Sequence, residues 1–246
     1  MKELLEKLIW PGEITVFYGK PAAGKTMTCL AYCARMRPAI FIYTEGGSAI
    51  SLKHKLKKVF GVEDGVHFIV ARTEDDLNRL LGGRTGDEKV RPLHKRIDFN
   101  PKLIVVDSIT WFYSGKVKRT KTNIGLITKE FQGKVELWAR YLFQFKCPII
   151  WTAQQKSVYG KIMEEAEKKK KKGKEQEEPK EEEPKKIEQE FIGGSQIAHA
   201  TKTWVRFEGL DEEPLRFRLT IRRGDDMHKT AILSLDDLIR FAGGEI

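Results

Sequence analysis

Gly19-Lys20-Pro21-Ala22-Ala23-Gly24-Lys25-Thr26 follows an apolar run, residues 13–18 (EITVFY), and opens a helical pattern from about Thr26 to Met36. No other segment limits the possible folds so tightly. The spacing Gly-x4-Gly-Lys-Thr is that of a phosphate-binding loop. Glycine lets successive backbone N–H groups turn inward around a phosphate, and the N-terminus of the following helix favours negative charge. Lys25 would place an ammonium on the β- and γ-phosphates, and the Thr26 hydroxyl would take a position on Mg²⁺. The bare pattern recurs by chance, but the strand before it and the helix after it are the context the chemistry requires. The chain is expected to bind a nucleoside triphosphate.

The elements that follow alternate. Residues 39–43 (AIFIY), 67–70, 103–106 (LIVV) and 148–152 (PIIWT) read as short buried strands. Residues 48–60, 74–81 and 134–145 read as helices, with Thr73 as an N-cap and Gly82-Gly83 as a stop. Apolar strands alternating with helices predict βαβ units, hence a mostly parallel twisted sheet covered by helices on both faces. Near the C-terminus, residues 203–207, 215–221 and 230–234 read as strands and 235–241 as a short closing helix, an antiparallel extension of the sheet.

Polar residues at the strand ends carry the remaining chemistry. Asp107 ends the apolar run LIVV, where a carboxylate faces the phosphate loop and can hold the metal's water shell. It could instead cap the next helix. Glu45, just past the second strand in Tyr43-Thr44-Glu45-Gly46-Gly47, can accept a proton from an attacking water, or be a solvated loop acid. Gln154 follows the fifth strand, where an amide could contact the γ-phosphate and report its loss.

The net charge is +10. Residues 161–190 hold ten lysines against eleven glutamates, so the excess belongs to the rest of the chain. Such a run cannot bury enough surface to fold alone and reads as a disordered insertion in a single domain spanning 1–246. A basic body suits a polyanion, nucleic acid before an anionic membrane, or simply solubility. Abundant Lys and Glu with few Asn and Gln suit a hot environment. Cys29, Cys33 and Cys147 make no disulfide framework and read as free buried thiols. No signal-peptide core is present and no apolar run approaches the ~20 residues of a membrane span, so an intracellular, cytoplasmic protein is expected.

Taken in order, these segments resemble the RecA superfamily, and within it the archaeal RadA/RadB-type recombinase ATPases. Pro11-Gly12-Glu13, Thr44-Glu45-Gly46, Asp107-Ser108, Thr152-Ala153-Gln154, Gly193-Gly194 and Ala198-His199 each match a family motif, over about residues 10–234. The resemblance implies a RecA-like P-loop core using ATP and Mg²⁺. Residues 19–26 would bind the phosphates, Thr26 and Asp107 the metal, and Lys25, Glu45 and Gln154 would serve hydrolysis.

It also implies two DNA-binding loops. The first falls near residues 115–122 with Lys116, Lys118, Arg119 and Lys121, a basic loop that can neutralise phosphates without reading sequence, or a solvated turn. The second covers 156–191 and is enlarged by the charged run. Arg222-Arg223 lies where related ATPases reach a neighbouring subunit's nucleotide, although TIRRGDD departs from the family's Lys-His-Arg. The sequence opens about ten residues before the core, without the family's helical DNA-binding domain or Phe-x-x-Ala linker, so the resemblance implies a core-only paralogue. Such a protein would bind single-stranded DNA, assist the main recombinase in repair and recombination, or do both, with self-association in the same frame; the alternatives are a KaiC-like regulatory ATPase that does not act on DNA and a non-catalytic ATP-dependent adaptor.

Overall fold

The computed structural model describes residues 2–46, 49–83, 91–119, 124–155, 197, 199–210, 216–224 and 226–243. Eight strands form one sheet: β1 (Ile14–Gly19), β2 (Ala39–Tyr43), β3 (Val66–Val70), β4 (Leu103–Asp107), β5 (Ile149–Gln154), β6 (Thr203–Gly209), β7 (Phe217–Arg223) and β8 (Thr230–Leu233). Their order is β3-β2-β4-β5-β1-β6-β7-β8. The pairs from β3 to β6 are parallel, and β6–β7 and β7–β8 are antiparallel. The expected parallel sheet with an antiparallel extension is therefore present, with β6 still belonging to the parallel part.

Every residue of β1 and of β4 is buried. Both faces of these central strands are covered, which is why they read as unbroken apolar runs rather than alternations. One face carries α1 (Lys2–Glu6), α2 (Lys25–Arg35), α3 (Ala49–Phe60) and the closing helix α7 (Leu235–Ala242), packed through Leu5, Cys29, Leu52, Leu56, Leu238 and Phe241. The other carries α4 (Glu74–Leu80), α5 (Trp111–Arg119) and α6 (Ile124–Leu142) through Leu77, Tyr113, Phe131, Val135 and Trp138. Alternation along β4 and β5 sends Val106 and Trp151 to the α6 side, and Asp107 and Thr152 to the α2 side. Glu13, in the turn before β1, pairs with Lys202 at 2.9 Å. The three cysteines are buried and free. Among the described residues no helix is long and apolar enough to cross a membrane.

Two helices depart from the sequence expectation. α6 begins at Ile124 rather than Lys134, and the stretch expected to end it as helix, Phe143–Phe145, is a 3₁₀ turn. The residues 115–119 expected in a basic loop belong to α5. Gly115 argues against a helix on local propensity, although the lysines and arginine around it do not. Packing overrides it: the Tyr113 ring stacks on Phe131 with centroids 4.5 Å apart, and its hydroxyl meets Thr128 Oγ1 at 2.9 Å. At α4 the expectation holds, since Thr73 accepts from the Asp76 N–H and the Asp76 carboxylate accepts from Thr73, a reciprocal cap. The charged run 161–190 and Lys121 lie outside the described residues.

The closing helix is fastened to the helix that follows the phosphate loop. Phe241 meets Tyr32 edge-on at 4.8 Å, Arg35 lies 5.0 Å above the Phe241 ring, and Arg35 Nη1 donates to the Phe241 carbonyl at 3.0 Å. Phe241→Ala should cost about 3–5 kcal/mol of unfolding free energy. A urea titration showing a loss under about 1 kcal/mol would mean that α7 does not brace α2.

Candidate nucleotide site

β1, β2, β4 and β5 run parallel, so their C-terminal ends share one edge of the sheet, and Gly19, Asp107 and Gln154 end β1, β4 and β5, with Glu45 just past β2. This is the edge at which open parallel sheets place their ligands. Two glycines are required by close approach. A Cβ on Gly19 would lie 2.2 Å from the Phe207 carbonyl oxygen, and one on Gly24 would lie 2.6 Å from the Phe217 ring. Gly24 also has φ +90°, and Ala22 has φ +61°. Gly24 is the N-cap of α2, and no side chain caps the helix there. The first N–H groups of α2 thus face the loop with no side-chain acceptor of their own, the arrangement that receives a phosphate.

Lys25 bends back over the loop. Its Nζ donates to the Gly19 carbonyl at 3.0 Å and to the Lys20 carbonyl at 2.7 Å. Burial lowers the lysine's pKa, while Asp107 and Glu45 act in the opposite direction. Asp107 is 1% exposed. Its Oδ2 accepts from Thr26 Oγ1 at 2.8 Å and its Oδ1 accepts from Thr152 Oγ1. Burial pushes this carboxyl up, against those two hydrogen bonds and Lys25, which hold it down. Glu45 is half-buried and is also pushed up by burial and then by the Asp107 charge; Lys25 and a hydrogen bond from the Gln154 side chain oppose this. The Asp107–Ser108 peptide is cis.

The donor set fits Mg²⁺. Adjacent ligands of an octahedral ion at 2.0–2.1 Å stand about 2.9 Å apart, and the Thr26 hydroxyl and Asp107 carboxylate oxygens are 2.8 Å apart. Two carboxylates also face a single lysine, so a divalent cation would relieve the charge imbalance that burial creates.

The proposed DNA contacts are not brought to this edge as a free basic loop. Lys116 Nζ pairs with Glu74 Oε2 and lies 3.7 Å from Glu130 Oε1, while Lys134 pairs with Glu74 at 2.6 Å and Glu130 at 2.5 Å. Arg119 is exposed at the end of α5. Lys118 lies on α5 with its side chain outside the description, as are Lys121, Gly193, Gly194 and Ala198 entirely; His199 is exposed in a helical turn. Arg223 sits 5.3 Å from the centre of the Trp204 ring. Sequence reasoning assigned no site role to Thr152 or to the hydroxyls of Thr44, Ser108 and Thr110, described below. Thr44, Ser108 and Thr152 stood inside matched motifs without a role of their own, and Thr110 gave no signal.

The model of the AAA domain family matches residues 13–199, and the chain belongs to that family. No curated protein matches the sequence. A solved crystal structure of the RadB recombinase is 17% identical and aligns over 94% of this chain and 92% of its own, with a TM-score of 0.61. At that identity the likeness is one of fold, which is RecA-like, and the chain is a RecA-like P-loop protein of nucleotide-binding type.

Because Glu45 is pushed up, the folded chain keeps its proton to higher pH than the unfolded chain does. Stability therefore falls as pH rises from the ordinary value of 4.5 through the folded value. Glu45→Gln is neutral throughout. Without nucleotide this variant should melt above the parent at neutral pH and level with it in acid below 4.5. Melting curves across pH that keep the same separation at every pH would refute the assignment.

Proposed function

We propose that this chain is a Mg²⁺-dependent ATPase of RecA type acting on or beside DNA in repair and recombination. The observation that supports it most directly is the meeting of Lys25, Thr26, Glu45, Asp107 and Gln154 at one sheet edge, built from four strand ends. The α2 N-terminus and the loop N–H groups cradle the phosphates. Lys25, released from the Gly19 and Lys20 carbonyls, moves its three donors onto the phosphate oxygens. Thr26 and Asp107 would hold the metal, which would supply positive charge against the charge that develops during transfer.

Glu45 takes the proton from the attacking water as that water's oxygen bonds to the terminal phosphorus and the bond to the leaving diphosphate breaks. Its raised pKa strengthens it as a base. Gln154, beside the Glu45 carboxylate, would turn its side-chain amide to the terminal phosphate. Glu45→Gln should keep ATP affinity within a few-fold and lower kcat about 10²–10⁴-fold. Phosphate release that is unchanged in the variant would remove Glu45 from the mechanism.

Support for DNA comes from the net charge of +10 and the likeness to the RadB recombinase fold. Lys116, Lys118, Arg119 and Lys121 stay the proposed contacts, with single-stranded DNA or a recombinase as partner and self-association in the same frame. The pairing of Lys116 with Glu74 favours a second reading, an ATPase or ATP-dependent adaptor that does not touch DNA. Fluorescence anisotropy with a single-stranded oligonucleotide distinguishes them. On the first reading log K falls with log salt at a slope of about −0.7 per phosphate neutralised; absence of binding at low salt supports the second.

A further inference from the structure

We propose that Thr44 and Thr110 are positioning residues, members of a ring of contacts, hydrogen-bonded from Thr44 to the Gln154 backbone N–H, that holds Glu45 and Gln154 beside each other across three strand ends. The proposal rests on the reading of Glu45 as the base.

The ring begins in the peptide that leaves β2. Thr44 N–H donates to the Asp107 carbonyl at 2.9 Å, Thr44 Oγ1 donates to the Ser108 carbonyl at 2.8 Å, and the same Oγ1 accepts from the Ser108 N–H at 2.9 Å. One side chain thus spans the peptide groups on both sides of Ser108, and the residue bearing it is the immediate neighbour of Glu45. Ser108 Oγ then lies 3.2 Å from Thr110 Oγ1 and accepts from the Thr110 N–H at 3.3 Å. Thr110 Oγ1 accepts from the Gln154 N–H at 3.1 Å, which carries the connection to the end of β5. The Gln154 side chain is near enough to the Glu45 carboxylate, one residue from the start, to hold its pKa down.

Thr44 and Ser108 are 1% exposed and Thr110 is fully buried, so water cannot substitute for any of these bonds. Packing alone does not require hydroxyls here. Valine has the shape of threonine and would fill the same space, and what it would lose is the bond. The ring joins a segment that must not move, the base, to one that must, the amide that senses the phosphate. Misplacement of a reacting group by about 1 Å can cost on the order of 10²-fold in rate. Thr110 is also the residue directly before α5, so the same bond connects the Gln154 backbone to the first turn of that helix.

Steady-state ATP hydrolysis by the parent, Glu45→Gln, Thr44→Val, Thr110→Val, Thr44→Ser and Thr110→Ser tests the ring, with melting curves to confirm that each variant is folded. Both valine variants should lose about tenfold or more in kcat with KM for ATP within about threefold, and both serine variants should recover most of it. The two threonines approach the ring from opposite sides, so one folded valine variant suffices. Parental kcat in a folded valine variant, or a KM that rises as kcat falls, overturns the inference while a slow Glu45→Gln upholds the base. So does a serine variant as slow as its valine counterpart. Equal rates in parent and Glu45→Gln overturn the base, and the ring with it.

Discussion

A carboxylate removed from water must be solvated by the protein, and Asp107 is removed almost completely. Its two oxygens are met by hydroxyls from different elements, Thr26 at the start of α2 and Thr152 on β5. These bonds set the height of α2 above the sheet, since the helix cannot slide along β4 without stranding a buried charge. The depth of the phosphate loop follows from the same restraint, because Gly24 and Lys25 enter α2 directly before Thr26. Lys25 completes the balance as the counter-charge to both Asp107 and Glu45. The rest of the sheet edge is arranged around a charge that has nowhere else to go.

Where the sequence could be read, the reason was local or periodic. β2 was legible to the residue because a strand covered on both faces is an apolar run, and AIFIY has no polar interruption. The phosphate loop was legible because all its parts lie within eight residues, and Asp107 because an acid ending LIVV has few other uses. Thr152 and the hydroxyls of Thr44, Ser108 and Thr110 were not legible as a group. Their partners lie on other strands, and only the strand order brings β2, β4 and β5 side by side. Periodicity shows which residues a strand buries but not which strand stands next to it.

α5 failed for a different reason. The basic loop was assigned from the resemblance and from Gly115, whereas Lys116, Lys118 and Arg119 favour a helix, which the docking of Tyr113 on Phe131 and of Lys116 on Glu74 supports. Ion pairs at a surface are worth little singly, but here four charges from α4, α5 and α6 interlock, with Glu74 largely buried among them. Part of the basic excess is thereby spent inside the fold. More of it is displayed on α3, where Lys53, His54, Lys55, Lys57 and Lys58 are all exposed. Counting charges had located a basic body correctly without showing which cations face outward.

The phosphate loop is not a self-contained device, although its eight residues are contiguous. Its walls are the Phe207 carbonyl against Gly19 and the Phe217 ring against Gly24, both from the last quarter of the chain. During synthesis the loop is made well before the strands that wall it. The segment that reads as a phosphate loop therefore leaves the ribosome without sides and gains them only when β6 and β7 join the sheet.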